Sequence, residues 1–440
     1  MKFKKSMITL MASVMVFSLA ACGSGNNAGN GGNNAAATNE PANNATNTGG
    51  NNAAAAEEFK PEEGAKLVVW DGGEQKPFIE EVGKAFKEKY GVEVTFTEVG
   101  ADKSVERIIT DGPAGVGADV FVAVHDRTGS AVSAGVVLPN DQFEEETKAE
   151  SFESAVAAVS NEGILYGYPK SVETTAVFYN KDLIPNVPAT WDEVVKFAGT
   201  FNDTKANKFA YMWDAGSSYW NYGFFGGYGA YVFGKEGTDP TDIGLNNDQG
   251  VEAAKFFQTL TSILPLKSAD INGDIRKSLF TSGKLAMNVS GPWDSTSFKE
   301  GVKNLGVAPY PTLPNGQPMK PFSGVKAYFV NAYTKYPNAA KLFANFASSA
   351  EFQKRNYVLT GLLPSNKGLA EDADIKADPI ASGFLAQFAN SVPMPSIPEM
   401  AQYWAPMDAA LASIWNDKAD PKATMDNAVK QMKDNIASGQ

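Results

Sequence analysis

One cysteine, Cys22, occurs in 440 residues, so no disulfide can form within the chain. Any stable body must be held by packed cores alone, and 43% hydrophobic residues are available to fill them. That length suggests two or three domains' worth of chain. From Lys66 onward the pattern alternates between strand and helix. Lys66-Leu67-Val68-Val69-Trp70 reads as a buried strand, and Phe78, Val82, Ala85 and Phe86 recur at helical spacing up to Tyr90-Gly91. Val92 to Thr97 alternates as a second strand, and Ala118 to Val124 is a mostly apolar third. Thr190 with Glu193 forms a capping box, Asn247 caps a further helix, and Met425, Val429, Met432 and Ile436 share a stripe on the last one. This alternation favours α/β layers with largely parallel sheets.

The first 60 residues are of another kind. Lys2, Lys4 and Lys5 precede an apolar stretch, Met7 to Leu19, that is too short for a bilayer core needing roughly 20 apolar residues. Residues 1–21 therefore read as a signal peptide. Leu19-Ala20-Ala21-Cys22 resembles the lipobox of bacterial lipoproteins, which would make Cys22 the lipid-carrying N-terminus. The alternative is a plain cleavage at Ala20 or Ala21 that leaves Cys22 a free thiol. Residues 22–60 are mostly Asn, Gly, Ala and Thr and read as a flexible tether, with roughly 30 Å of reach. Nothing after Cys22 is long enough to span a membrane. The expected address is the extracytoplasmic face of a bacterial membrane, reached through the lipid anchor only. The formal charge is -12, or -15 without the three signal lysines, which argues against nucleic acid or anionic lipid as partner. No heptads are visible, and a monomer is expected.

Ligands of open α/β sheets collect beyond the carboxyl ends of strands. Asp71-Gly72-Gly73-Glu74-Gln75 follows the first strand and His125-Asp126-Arg127 the third. Asp126 and Arg127 can hydrogen-bond a ligand, or can cap a helix and pair with each other. Aromatic residues crowd one segment, with Trp213, Tyr219, Trp220, Tyr222, Phe224, Phe225, Tyr228 and Tyr231 close together. Trp293, Tyr403 and Trp404 follow. Flat rings suit the apolar faces of pyranose sugars, while carboxylates bond the hydroxyls; any single ring is more often core. The glycines Gly223, Gly226, Gly227 and Gly229 fit a close-packed helix contact as well as a site.

Tyr168-Pro169-Lys170-Ser171-Val172-Glu173 runs into Val177-Phe178-Tyr179-Asn180-Lys181-Asp182-Leu183. With Leu67 to Trp70, His125 to Arg127 plus Gly129, Ser290 to Trp293, Pro321 to Val325 and Pro393 to Trp404, it forms a co-linear set over the whole body. The chain resembles the family 1 extracellular solute-binding proteins, in particular the maltose/maltodextrin-binding members that serve ABC importers. The resemblance implies an α/β, two-lobed periplasmic-binding-protein-like fold with discontinuous lobes joined by a three-crossing hinge. Lobe 1 would comprise 61–172 and 325–373, and lobe 2 would comprise 173–324 and 374–440. Crossings are expected near Ser171 to Thr175, Phe322 to Lys326 and Asp372 to Pro379.

By the family pattern Asp126, Arg127 and Glu173 would bond sugar hydroxyls, Tyr219, Trp293 and Trp404 would stack on the rings, and Trp220 and Glu74 would neighbour them. The implied partners are a maltose/maltodextrin-type oligosaccharide and an ABC permease, with no cofactor and no metal. Ala123 stands where the pattern places Trp, and Gln75 where it places Lys, with Lys76 beside it. Sugar length, and linear against cyclic glucan, are left open. A surface glycosidase could use Asp71, Glu74, Asp126 and Glu173. His125 is the only histidine, no Gly-x-Ser-x-Gly elbow appears, and no acid has a positioned partner, so binding is expected rather than catalysis.

Overall fold

Twelve strands in the computed structural model, which describes residues 59–439, carry the architecture. The leader, Cys22 and most of the tether lie outside the described residues. In chain order the strands are β1 Lys66–Asp71, β2 Glu93–Glu98, β3 Val120–Val124, β4 Ser160–Asn161, β5 Ile164–Leu165 and β6 Tyr168–Thr174. Then follow β7 Ala176–Asn180, β8 Phe209–Met212, β9 Leu285–Ser290, β10 Leu305–Ala308, β11 Phe322–Val330 and β12 Val392–Pro393. The first sheet has the order β12-β11-β3-β1-β2 with β6 also paired to β11, and the second has the order β10-β7-β9-β8. Helices cover both sheets; one apolar core runs from the second sheet onto the first through Phe121, Val172 and Phe329, and a second core lies under Leu67, Val69, Val122 and Tyr328 of the first sheet.

The local signals act as their chemistry demands. The first helix, Lys76–Tyr90, ends where Gly91 takes φ 73°, a left-handed conformation that costs glycine little. Thr190 accepts from the Glu193 amide while the Glu193 side chain accepts from the Thr190 amide, and Asn247 accepts from Gly250. In the last helix, Pro421–Ser438, the buried face is Met425, Ala428, Val429 and Met432. The third strand starts two residues later than the apolar run suggests. Ala118 is buried, but its carbonyl accepts from Asn331 instead of joining the ladder.

Largely parallel sheets are expected from the alternation, and the structure corrects this to mixed sheets. β1 pairs parallel with β2 and β3, β11 with β12, and β8 with β9. β11 runs antiparallel to β3 and β6, and β7 runs antiparallel to β9 and β10. The chain leaves β6 at Thr174 and enters β7 at Ala176, so it changes sheet across Thr175 alone. It returns between Ala308 and Phe322. It leaves the first sheet again after the helix Ala350–Thr360, since Gln387 of the helix Pro379–Phe388 accepts from the Tyr310 amide just beyond β10.

Where these passages meet, His125 acts as a clamp. Its Nδ1 accepts from the Val325 amide of β11 at 3.0 Å, and its Nε2 donates to the Met394 carbonyl at 2.9 Å. Four residues on, Gly129 donates to the Ser396 carbonyl, and a Cβ there would lie 2.6 Å from that oxygen. Burial lowers the His125 pKa to about 4, against a small opposing effect of the Met394 carbonyl. The folded pKa lies below the unfolded one, so the unfolded chain binds the proton more readily. Stability held by the neutral ring is complete above pH 6.5 and is lost as pH falls toward 4, about 3 kcal/mol in all. In urea unfolding at pH 7.5 and 4.5, His125→Gln should lose less stability between the two conditions than the parent. Equal losses would show that His125 does not set this dependence.

Candidate functional site

The carboxyl ends of β1, β2 and β3 from the first sheet face those of β8 and β9 from the second across a cleft of about 830 Å³. Gly72 to Glu74 follow β1, Glu98 to Lys103 end and follow β2, and Asp126 and Arg127 follow β3. Tyr219 and Trp220 open the helix after β8, and Trp293 and Asp294 follow β9. Trp404 comes from the helix Ala401–Asp417, and Glu173 and Lys326 lie on β6 and β11 between the two sets. All eight residues singled out from the sequence, Glu74, Asp126, Arg127, Glu173, Tyr219, Trp220, Trp293 and Trp404, line this one cleft.

Its walls differ chemically. The wall built on β1 to β3 supplies carboxylates, glycines and two cations, without an aromatic ring. Ala123 is buried in β3 opposite Ala327, and Gln75 is buried with its Oε1 accepting from Lys170 at 3.1 Å. Lys76 points outward to Glu80. On the other wall, Trp220 meets Tyr219 edge-on at 5.3 Å and Trp293 at 6.1 Å. Trp404 meets Phe322 at 6.1 Å, and its buried indole N–H has no partner. Of the rest of the aromatic run, Trp213, Tyr222, Phe224 and Phe225 are buried core, as is Tyr403, while Tyr228 is half-buried and Tyr231 exposed. Gly223, Gly226 and Gly227 pack the helix Ser218–Tyr228 against Leu313 to Pro321, not against another helix.

Between the walls lies a buried charge pair. Glu173 Oε2 and Lys326 Nζ are 3.1 Å apart, and Lys326 also lies over the Trp293 ring at 5.1 Å. Opposite Glu173 on β11 stands Gly324, where a Cβ would come within 3.2 Å of the Glu173 side chain, so the glycine makes room for the carboxylate. Burial pulls the Lys326 pKa down, but Glu173 and then Glu74 outweigh it and leave the ammonium above its ordinary range. Asp126 pairs with Arg127 at 3.4 Å and caps no helix by its side chain. Burial dominates there and raises the Asp126 pKa to about 7, despite the opposing guanidinium. Deeper still, Lys170 forms an ion pair with Asp71 at 2.5 Å.

Sequence reading passed over Lys326, Lys277, Asp294 and Asp408, all on the cleft wall. Lysine in the otherwise apolar run Val325 to Val330 was the available signal, because a buried charge needs a reason. Lys277 and Asp294 pair at 2.7 Å, and Asp408 accepts from Ser218. Their local sequences carry no such mark. Four acids of the first wall, Glu74, Glu98, Asp102 and Asp126, offer no bound metal: among the described residues no cluster of His, Cys, Asp or Glu has metal-holding geometry.

Two sheets whose strand ends face each other across a polar and aromatic cleft define a two-lobed solute receptor. The family model for bacterial extracellular solute-binding proteins matches residues 81–383, and the chain belongs to that family. It is 35% identical over 381 residues to the galactooligosaccharide-binding protein of Bacillus subtilis (strain 168), covering 85% of this chain and 90% of the relative. It is 32% identical over 379 residues to the maltooligosaccharide ABC transporter solute-binding lipoprotein of Streptococcus pneumoniae R6, covering 84% and 89%. A crystal structure of a cyclo/maltodextrin-binding protein complexed with maltotetraose is 36% identical, with a TM-score of 0.72, over 84% of this chain and 97% of that one. The protein is thus an extracytoplasmic binding receptor of the ABC-importer type, not an enzyme.

Removing one member of the buried pair leaves an uncompensated charge. Lys326→Met should lower the unfolding free energy by about 3 kcal/mol, and adding Glu173→Gln should restore part of it. Chemical denaturation of the single and double variants checks this.

Proposed function

We propose that this protein captures a maltodextrin-type oligosaccharide in the cleft and delivers it to an ABC permease. The observation that carries the reading is the four cleft aromatics, Tyr219, Trp220, Trp293 and Trp404, facing the carboxylates Glu74 and Asp126 with Glu173 between the walls. Pyranose rings present an apolar face and a rim of hydroxyls. Aromatic stacking meets the first and carboxylates meet the second. In this reading Tyr219, Trp293 and Trp404 stack, with Trp220 beside them, and Asp126, Arg127, Glu173 and Glu74 bond hydroxyls.

Capture works by closure. Lobe 1 (61–172 and 325–373) and lobe 2 (173–324 and 374–440) rotate about the chain passages, and a ligand that touches both stabilises the closed form by its differential affinity. Glu173 lies at the first passage, one residue from where β6 ends. Cys22 carries the acyl chains, two of which suffice for stable anchoring. The tether then lets a monomeric body reach the permease.

A galactooligosaccharide is the second reading, favoured by the relative of that name at 35% identity and by the ring-free first wall. Titration calorimetry of residues 62–440 against maltose, maltotriose, maltotetraose, a cyclodextrin and a galactotriose separates the two. Micromolar binding of a glucan that is lost in Trp293→Ala supports the first reading. Binding of the galactotriose alone transfers the site to the second.

The ionised Asp126 carboxylate is the better acceptor for a sugar hydroxyl, and its pKa of about 7 puts the change within reach. Its folded pKa lies above the unfolded value, so ionising it costs stability as pH rises from about 4 to 7. A bound hydroxyl offsets that cost. Affinity should therefore rise from pH 6 to pH 8, and Asp126→Asn should flatten that rise in calorimetry at the two pH values.

A further inference from the structure

Arg276 is a buried cation that the reading above does not use. It sits on the helix Gly273–Thr281, is 4% exposed, and forms no ion pair among the described residues. Burial lowers its pKa, and Asp214 and Asp294 oppose this only from beyond ion-pair range. One terminal nitrogen donates to Asn288 Oδ1 at 3.2 Å and to the Val289 carbonyl, while Nε has no partner. A desolvated guanidinium without a carboxylate is costly, so its remaining contact should matter. That contact is the ring of Trp220, with the guanidinium carbon 4.7 Å from the ring centre.

We propose that Arg276 is a positioning residue for the sugar-stacking wall. Two bonds to β9 hold the guanidinium plane, and the plane holds one face of Trp220 by cation–π attraction. Trp220 in turn abuts Tyr219 and Trp293 edge-on, so its orientation sets where those two rings stand. Arg276 thereby acts on ligand without touching the cleft, whose lining includes its neighbour Lys277 but not Arg276 itself. The wall is ordered before ligand arrives, which lowers the entropic cost of binding.

This inference rests on the oligosaccharide reading of the cleft, and its test is built to fail separately from it. Arg276→Met keeps the length and apolar stem and removes the charge and the donors. Maltotetraose affinity, read by calorimetry, should fall about 5- to 10-fold in Arg276→Met, a share of the roughly 30-fold a desolvated cation–π contact can supply, because the effect reaches ligand through Trp220. In a Trp220→Leu background the same substitution should change affinity less than about 2-fold, because the effect travels through that ring.

Near-ultraviolet circular dichroism supplies a readout that needs no sugar. The difference spectrum produced by Trp220→Leu should shrink or change shape when Arg276 is already Met. Arg276→Lys keeps the charge but lacks the planar fork, should show the same effects in weaker form, and replaces Arg276→Met if that variant does not fold. Equal affinity losses in both backgrounds, or an unchanged Trp220 difference spectrum, would overturn the proposal. If the parent binds no maltotetraose, the maltodextrin reading has failed and the dichroism alone decides the positioning role.

Discussion

Placing Glu173 against Lys326 inside a fully buried strand pair is the commitment on which the cleft depends. β6 and β11 are buried along their whole lengths, so the two charges reach water only through the cleft. Each needs the other, and Gly324 on the facing strand leaves room for the Glu173 side chain. The register between the two strands is therefore specified by charge as well as by apolar packing. That same register brings the ends of both strands to the point where the chain passes between the sheets. The pair thus ties the passages between the sheets to the floor of the cleft.

From that floor the two walls rise with different chemistry for different tasks. A rigid aromatic wall gives area and shape at low entropic cost, while the polar wall offers directional hydrogen bonds. Two groups next to each other in the chain show how burial divides roles. His125 loses its charge to burial and serves as a neutral clamp with both ring nitrogens engaged. Asp126 keeps one edge on the cleft, is raised to about 7, and stands ready to be ionised by a partner. A receptor needs both: fixed joints where the segments meet, and groups on the cleft whose bonding is completed only by ligand.

Much of the site could be read along the chain because strand-end loops announce themselves. Asp71-Gly72-Gly73-Glu74 and His125-Asp126-Arg127 are polar and glycine-bearing breaks after apolar runs, and both lie on the cleft. The aromatic segment was legible only as a group. Tyr219 and Trp220 face the cleft, whereas Trp213, Tyr222, Phe224 and Phe225 fill the core. Helical rotation and the Gly223-Gly226-Gly227 contact with Leu313 to Pro321 decide which ring goes where, and that contact is remote in sequence. Lys326 and Arg276 escaped for the same reason, since what makes each matter is a partner 153 or 56 positions away.

Taken alone, the sequence determined the α/β class, the helix starts at Thr190 and Asn247, the absence of any internal disulfide and the residues that follow the first and third strands. Those are consequences of periodicity, capping chemistry and composition, all of which act within a few residues. Tertiary structure decided the rest. It set the mixed strand directions, because β11 and β9 pair with strands more than a hundred residues earlier in the chain. It separated cleft rings from core rings, and it chose which buried charges pair and which one, Arg276, leans on an aromatic face instead. Such outcomes depend on surfaces brought together from distant segments, where desolvation makes every unpaired charge and every misplaced ring expensive.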